Sequence, residues 1–289
     1  MDFLFEIIKT VLLGVIEGIT EWLPVSSTGH MILLNDLLRL DVSEAFWEMF
    51  EVVIQLGAIF AVVVLYFQKL WPFAEKQRIA EDNRLLSAGS IGLKKNTVML
   101  WLKVIVAMLP AAVIGILLDD WFDEHFYNSV VVAITLIVYG VLFILVERRN
   151  KDKVFAVESV DAISFKTALG IGLFQTLSLV PGTSRSGSTI LGASTLSVSR
   201  GAAAEFSFFL AIPVMLGASA LKILKFFLEG GSFGGSELVF LLVGCVVAFA
   251  VSIAAIRFLT DFVKKHSFSA FGVYRILLGL LVLLIYFIK

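Results

Sequence analysis

Long apolar segments alternate with short polar ones along most of the chain. A membrane-spanning helix needs about 20 predominantly apolar residues. Six segments meet that length, either free of charge or interrupted only by isolated charges or a proline: 50–67, 98–118, 128–146, 204–228, 238–256 and 270–288. The pattern predicts six transmembrane helices.

Two further apolar segments, 3–40 and 161–195, are broken near their middle. The breaks read Leu-Pro-Val-Ser-Ser-Thr-Gly-His at 23–30 and Val-Pro-Gly-Thr-Ser-Arg-Ser-Gly at 180–187. Proline ends a helix, and non-helical backbone survives at membrane depth only where protein or a water-filled cavity covers it. Each segment is therefore predicted to be a re-entrant helix–loop–helix hairpin that enters and leaves on one side.

Composition supports a membrane protein. Of 289 residues, 59% are hydrophobic and 16% charged, and the mean hydropathy is +0.96, whereas a soluble domain has about 25% charged residues. A net charge of −1 gives no indication of nucleic-acid binding. The lone cysteine, Cys245, excludes a disulfide scaffold. The first apolar segment has no basic residue before it, so we expect it to remain in the mature protein.

Basic residues are distributed unevenly among the connections. Lys and Arg number six in 68–97, four in 147–160 and two in 261–271, but none in 119–127 or 229–237. Because cytoplasmic loops are enriched in Lys and Arg, we expect the basic connections in the cytoplasm. Six spans then place both termini outside the cytoplasm, in a multi-pass protein of the cell (inner) membrane.

The two halves of the chain resemble each other. Pro24-x-Ser26-Ser27 aligns with Pro181-x-Thr183-Ser184 at a spacing of 157, and each half has one broken hairpin followed by three spans. An odd number of spans inverts the second half, which is typical of transporter folds. We predict one all-α domain, 1–289, with inverted repeats at about 1–150 and 160–289.

Two carboxylates lie just before the first break. Glu17 and Glu21 are four residues apart, so on a helix they share one face. Ionisable residues within membrane segments are costly and usually functional. The pair is a candidate site for a divalent cation or a shared proton. Glu6, nearer the end, is expected only to reach water at the interface.

The second break combines one cation with several hydroxyls. Arg185 is flanked by Thr183, Ser184 and Ser186, and a guanidinium suits phosphate oxygens. The first break offers Ser26 and Thr28 before another short helix, whose N–H groups also favour an anion. Together the two breaks predict a receptor for a polyphosphate, although for any single hydroxyl a structural role, as a helix cap or in a bond between spans, is favoured.

His30 follows Ser27 by three residues, which places both on one helix face. Serine, histidine and a carboxylate can supply a nucleophile, a proton carrier and an orienting group. His125 and His266 lie in predicted loops and are assigned no role.

These motifs resemble those of bacterial undecaprenyl-diphosphate phosphatases of the UppP/BacA type. The likeness covers essentially the whole chain, including Glu17-x-x-x-Glu21, the run 24–30 and the run 181–189. It implies a membrane hydrolase that removes the terminal phosphate of undecaprenyl diphosphate. The product, undecaprenyl phosphate, carries peptidoglycan precursors. The resemblance also implies a divalent cation, Mg²⁺ or Ca²⁺, and a link to bacitracin resistance. A homo-oligomer is left open.

The resulting mechanistic hypothesis assigns catalysis to Glu21, Ser27, His30 and Arg185. Cation binding falls to Glu17 and Glu21, and phosphate binding to the hydroxyls of the two breaks together with Arg185. Whether Ser27 or a water molecule attacks phosphorus stays open. A secondary transporter or lipid flippase is the alternative function, because inverted repeats with broken helices also occur there.

Overall fold

The computed structural model describes residues 3–288, except for the side chains at positions 32, 35–37, 119, 120 and 123. The ends of the predicted domain, residues 1, 2 and 289, lie outside the described residues. Helices form most of the fold: α1 (Phe3–Thr20), α2 (Ser27–Leu38), α3 (Glu44–Val53), α4 (Gln55–Leu65), α5 (Phe67–Leu70), α6 (Lys95–Phe126), α7 (Ser129–Arg149), α8 (Phe165–Gln175), α9 (Arg185–Thr195), α10 (Arg200–Leu228), α11 (Glu237–Lys265) and α12 (Ser269–Ile288).

Six helical segments within residues 3–288 are long and apolar enough to cross a membrane: Glu44–Leu65, Lys95–Leu118, Ser129–Arg149, Arg200–Leu228, Glu237–Lys265 and Ser269–Ile288. The predicted all-α membrane class with six spans is thus confirmed. Three boundaries differ most. The first span begins six residues early at Glu44, α11 continues nine residues past the predicted end at 256, and α6 continues through most of the predicted connection 119–127. No glycine or proline interrupts that stretch, so the helix has no local reason to end.

Both predicted hairpins consist of two helices separated by a break, α1 and α2 in the first and α8 and α9 in the second. Ser26 and Ser184 immediately precede α2 and α9, with φ of 74° and 69°. Serine seldom adopts this left-handed conformation, so the shared turn defines equivalent positions. These two serines are 158 residues apart, one more than the spacing of the aligned prolines.

Helix pairing is reciprocal between the halves. The first hairpin's α1 packs on α11, which is the second span of the other half. Likewise α8 packs on α6, the second span of the first half, while the third spans α7 and α12 pack on each other. A two-fold relation between halves would produce these pairings. The inverted repeat and its sidedness stay predictions.

Close contact with α11 fixes the position of α1. A Cβ added to Gly14 or Gly18 would lie 2.9 Å and 2.8 Å from the carbonyl oxygens of Gly244 and Ala248. Glycine spaced by four residues is a common means of close helix approach in membranes. Glu17 and Glu21 are thereby held in the interior of the protein, where both are buried.

The polar stretch 68–97 contains a small sheet that the all-α prediction did not include. Strands β1 (Phe73–Glu75), β2 (Arg84–Ala88) and β3 (Ile91–Lys94) form an antiparallel sheet in the order β1-β3-β2. Tight turns and short extended runs carry too little periodicity for a strand prediction in this stretch.

Candidate active site

The two breaks meet in the interior of the protein. Ser186 Oγ, in the second hairpin, donates a hydrogen bond to the carbonyl of Glu21 at 2.9 Å. Arg275 of α12 joins both breaks from a third direction. Its guanidinium donates to the carbonyls of Pro24 (3.2 Å), Gly182 (2.8 Å) and Thr183 (2.9 Å).

Arg275 is fully buried, and sequence reasoning did not identify it as part of the site. The sequence feature that could have identified Arg275 is its position as an isolated basic residue inside the apolar segment 270–288. Burying a guanidinium is costly unless it is hydrogen-bonded, and here backbone carbonyls accept from Nη1 and Nη2, while Nε has no hydrogen-bond partner among the described residues. Arg275 therefore holds the irregular backbone of the two breaks in register.

Glu21 and Arg185 form an ion pair across the breaks. Glu21 Oε1 accepts from Arg185 Nη2 at 2.8 Å and from Nε at 3.2 Å. Arg185 Nη1 donates to the carbonyl of Ser207 at 2.8 Å, and its guanidinium lies 6.0 Å from the ring of Trp22. These contacts fix the guanidinium plane and leave Oε2 of Glu21 outside the pair.

Glu17 lies one helical turn before Glu21 and is also buried. Its Oε1 has no hydrogen-bond partner among the described residues. An unpaired carboxylate oxygen in the interior is expensive, so this atom is suited to a ligand. Nowhere in the described part of the chain do three or more His, Cys, Asp or Glu side chains cluster closely enough to hold a metal ion. A cation bound here would therefore depend on substrate or water oxygens as well.

Four of the hydroxyls predicted to bind phosphate are used within the protein. Ser26 Oγ accepts from the N–H of Gly29 at 3.3 Å, and Ser184 Oγ accepts from that of Gly187 at 3.1 Å. Thr183 Oγ1 donates to the carbonyls of Leu177 and Val180, and Ser186 bonds Glu21 as described. These hydroxyls shape the breaks, and their availability to a phosphate is limited accordingly.

Ser27 and Thr28 differ from those four. They open α2, are half-buried, and make no side-chain hydrogen bond to any described residue. At the first turn of α2 they lie beside N–H groups that have no partner inside the helix. Their hydroxyls are the ones in the two breaks left available to a bound anion.

His30 is held by two hydrogen bonds, neither of them to Ser27. Its Nδ1 lies 2.7 Å from the carbonyl oxygen of Ser26, and its Nε2 lies 2.7 Å from the hydroxyl of Tyr274. A carbonyl only accepts, so Nδ1 carries the proton, and Nε2 of the neutral ring accepts from Tyr274. Tyr274 also stacks on the ring, with centroids 5.7 Å apart. Sequence reasoning missed this residue.

A cavity of about 470 Å³ adjoins His30 and Tyr274. Helices α1, α11 and α12 contribute most of its walls, which are largely apolar: Ile16, Ile19, Thr20, Leu23, Val25, Phe262, Ala270 and Phe271 complete the lining. The site thus combines a cationic, hydroxyl-bearing centre with an adjoining apolar space, as an amphiphile with an anionic head requires.

Comparison with known proteins assigns the family. The family model described as "Bacitracin resistance protein BacA" matches residues 10–281. The chain belongs to the BacA family. The resemblance seen in the motifs is thereby confirmed over nearly the whole chain.

Curated relatives in this family carry one printed name, undecaprenyl-diphosphatase. A protein of Acetivibrio thermocellus is 56% identical over 281 residues, covering 97% of this chain and 98% of its own. One of Enterococcus faecalis is 56% identical over 285 residues, covering 99% and 98%. One of Streptococcus pyogenes serotype M3 is 52% identical over 286 residues, with the same coverage.

Proposed function

We propose that this membrane enzyme hydrolyses undecaprenyl diphosphate to undecaprenyl phosphate and inorganic phosphate at the centre formed by the two breaks. The observation that carries the assignment to this place is the Glu21–Arg185 pair, next to a first break whose Leu23, Val25 and His30 line the apolar cavity. A guanidinium suits the diphosphate, and the cavity suits the start of the prenyl chain. Full-length relatives named undecaprenyl-diphosphatase support the same reaction. None of them favours the transporter or flippase alternative.

In the proposed reaction, Ser27 Oγ attacks the terminal phosphorus and the bond to the bridging oxygen breaks. Undecaprenyl phosphate leaves, and the serine proton passes to Glu21 or His30. Water then hydrolyses the phosphoserine and releases inorganic phosphate. The rival route, direct attack by an activated water, needs the same groups except the Ser27 nucleophile.

Arg185 supplies fixed positive charge for the phosphoryl oxygens. Its contacts to Glu21, Ser207 and Trp22 hold it in place before substrate binds. Such preorganised charge is a major source of transition-state stabilisation in phosphoryl transfer. The N–H groups at the start of α2, with Ser27 and Thr28, face the same negative charge.

His30 acts through Nε2, because Nδ1 is committed to the Ser26 carbonyl. Nε2 accepts from Tyr274 in the absence of substrate. Hydrogen bonds in an unliganded site often rearrange when substrate binds. A modest turn of the Tyr274 hydroxyl frees Nε2 for a proton from Ser27 or water.

Glu17 and Glu21 would hold a divalent cation, Mg²⁺ or Ca²⁺. The unpaired, buried Oε1 of Glu17 and the second oxygen of Glu21 fit this role, since Mg²⁺ is commonly bound by one or two carboxylates together with substrate phosphates. When bound, the cation would neutralise charge on the diphosphate. Glu21 itself also orients Arg185.

Orientation follows from the basic connections. With 68–97 and 147–160 in the cytoplasm, both termini and the opening of the first hairpin lie on the outer side of the membrane. Cysteines placed at the hairpin ends should react with an impermeant reagent from outside in intact cells. Labelling only after the inner face is exposed would reverse this orientation.

The reaction is tested by phosphate release from a prenyl diphosphate, using purified protein in detergent. We expect chelator to abolish release and Mg²⁺ to restore it. Glu21→Gln should lower kcat/KM by about 10²-fold or more, and Glu17→Gln should raise the Mg²⁺ concentration needed. Glu205→Gln is the matched control, since Glu205 pairs with Lys69 and has no hydrogen bond to the residues of the two breaks.

Full activity in the presence of chelator would contradict the proposed role of a divalent cation. No release by folded wild-type protein would contradict the hydrolase and lead to a lipid-flipping assay in vesicles.

A further inference from the structure

The small sheet has two unlike faces. Strand residues alternate between faces, and the register places Phe73 beside Leu93 and Leu93 beside Leu86. Ile91 lies two residues from Leu93 and shares that face with its cross-strand partners Glu75 and Ala88, and Glu75 pairs with Arg78. We name the four large apolar residues of this face, Phe73, Leu86, Ile91 and Leu93, the apolar sheet face.

The opposite face is covered by the chain at its centre, around Gly92, while Ser87 at its edge is exposed. A Cβ added to Gly92 would come within 2.8 Å of Ile79 Cδ1, and Ile79 is buried there. The apolar sheet face has no such cover: Phe73, Leu86 and Ile91 are 50%, 67% and 56% exposed. Grouped exposed side chains of this size usually mark an interaction surface.

The sheet is attached directly to the ends of two spans. One span ends at Leu65, and the next begins at Lys95, immediately after β3. Between the first span and β1, half-exposed aromatic rings contact one another in sequence: Phe67 stacks on Trp71 at 5.5 Å, and Trp71 meets Phe73 edge to face at 5.7 Å. Aromatic residues at span ends are typical of the membrane–water interface, so the apolar sheet face continues that belt.

Charge indicates what covers this surface. Residues 66–97 contain six basic and three acidic side chains. Lys76 and Lys95 are exposed and have no side-chain hydrogen bond or ion pair to the described residues. Basic segments next to a span bind anionic lipid headgroups. Stacking two copies of the sheet would instead bring two positively charged segments together.

We propose that the apolar sheet face inserts into the headgroup region of the adjoining leaflet, with anionic phospholipids engaged by Lys76 and Lys95. The sheet is then an amphipathic interfacial element rather than a water-exposed loop. It fixes the inner ends of the two spans relative to the bilayer. This inference does not depend on the proposed catalytic reaction.

The test uses a fluorescent label on full-length protein in vesicles. In a Cys245→Ala background, bimane is attached at Leu86→Cys or, on the other face of the same strand, at Ser87→Cys. Ile91→Cys serves as a second probe of the apolar sheet face. The vesicles contain phosphatidylcholine with or without phosphatidylglycerol, and each contains a nitroxide-labelled lipid. Phosphate release checks that each labelled protein is folded.

We expect the lipid nitroxide to quench the Leu86 and Ile91 labels several-fold more than the Ser87 label, and aqueous iodide to do the reverse. Phosphatidylglycerol should increase this difference, and Lys76→Glu with Lys95→Glu should reduce it. Equal quenching at Leu86 and Ser87 would overturn the proposal. Protection of Leu86 that instead grows with protein density in the membrane would identify a second copy as the partner and also overturn it. Lipid quenching unaffected by phosphatidylglycerol or the lysine variants would overturn the anionic-lipid contact.

Discussion

The two breaks share one backbone turn but make different use of it. In each, a left-handed serine precedes a helix, and its hydroxyl accepts from the N–H three residues later. Beyond the turn they diverge. Helix α9 after the second break is buried along nearly its whole length, whereas Ser27, Thr28 and His30 of α2 are half-buried.

Hydrogen bonding differs in the same direction. Thr183, Ser186 and Thr189 of the second hairpin all bond within the protein, and Thr189 also bonds Ser207 at 2.7 Å. In the first break, the hydroxyls of Ser27 and Thr28 have no partner among the described residues. The comparison suggests a division of labour: the second break is a rigid holder for Arg185, and the first presents the groups that react.

The largest expected effect is at Arg185, the positively charged side chain that the second break holds. Arg185→Lys retains the charge but cannot make the two contacts to Glu21 together with the contact to Ser207. We expect kcat/KM for a prenyl diphosphate to fall by about 10³-fold or more, in line with arginines that stabilise phosphoryl transfer. The measurement is steady-state phosphate release in detergent.

Arg200→Lys is the matched control for that change. Arg200 binds Glu147 with both Nε and Nη2, at 3.0 Å and 2.6 Å, away from the two breaks. It should alter melting temperature more than activity. Near-normal activity in Arg185→Lys would show that a positive charge at this position suffices for catalysis and that the fixed orientation of the guanidinium is unnecessary.

A second pair of variants separates reacting hydroxyls from structural ones. Ser27→Ala removes the proposed nucleophile without breaking a hydrogen bond within the described protein, so kcat should fall about 10²–10⁴-fold with little change in melting temperature. Ser186→Ala leaves the buried carbonyl of Glu21 short of a donor and should destabilise the fold by about 1–3 kcal/mol. Its kcat should fall less than that of Ser27→Ala.

The Ser27→Ala variant also distinguishes attack by Ser27 from direct attack by water. A phosphoserine trapped on Ser27 would support the covalent route. Wild-type activity in Ser27→Ala would contradict it and favour attack by water. If Ser186→Ala lost more activity than Ser27→Ala, the proposed division between the breaks would be wrong.

Much of this fold is encoded locally and could be predicted from sequence. Apolar length alone predicted six spans, and proline with clustered hydroxyls predicted both breaks. Glu17, Glu21 and Arg185 stood out because charge is rare in apolar segments. Glu6 did too, but its predicted role at the interface was wrong: it is buried, bonds Lys9 at 3.0 Å and accepts from the N–H of Asp41.

What could not be predicted depends on tertiary contacts. Arg275 and Tyr274 lie some 250 residues along the chain from Pro24 and His30, which they contact, and no local pattern encodes that pairing. Nor does the sequence distinguish a hydroxyl that caps a helix, such as that of Ser184, from one without a partner among the described residues, such as that of Ser27. Only the three-dimensional partners of each hydroxyl separate the two cases.

The smallest expected effect is at Tyr274, which lies on α12 and contacts His30 of the first hairpin. Tyr274→Phe keeps the ring stacked on His30 and removes the hydroxyl that bonds Nε2. Because a neutral hydrogen bond contributes about 0.5–1.5 kcal/mol, kcat should fall roughly 2–10-fold with KM little changed. Tyr286→Phe, exposed on the same helix, is the control and should have no effect. A loss comparable to that of Ser27→Ala would make Tyr274 a proton donor in its own right, whereas no loss would show that Ser26 alone positions His30.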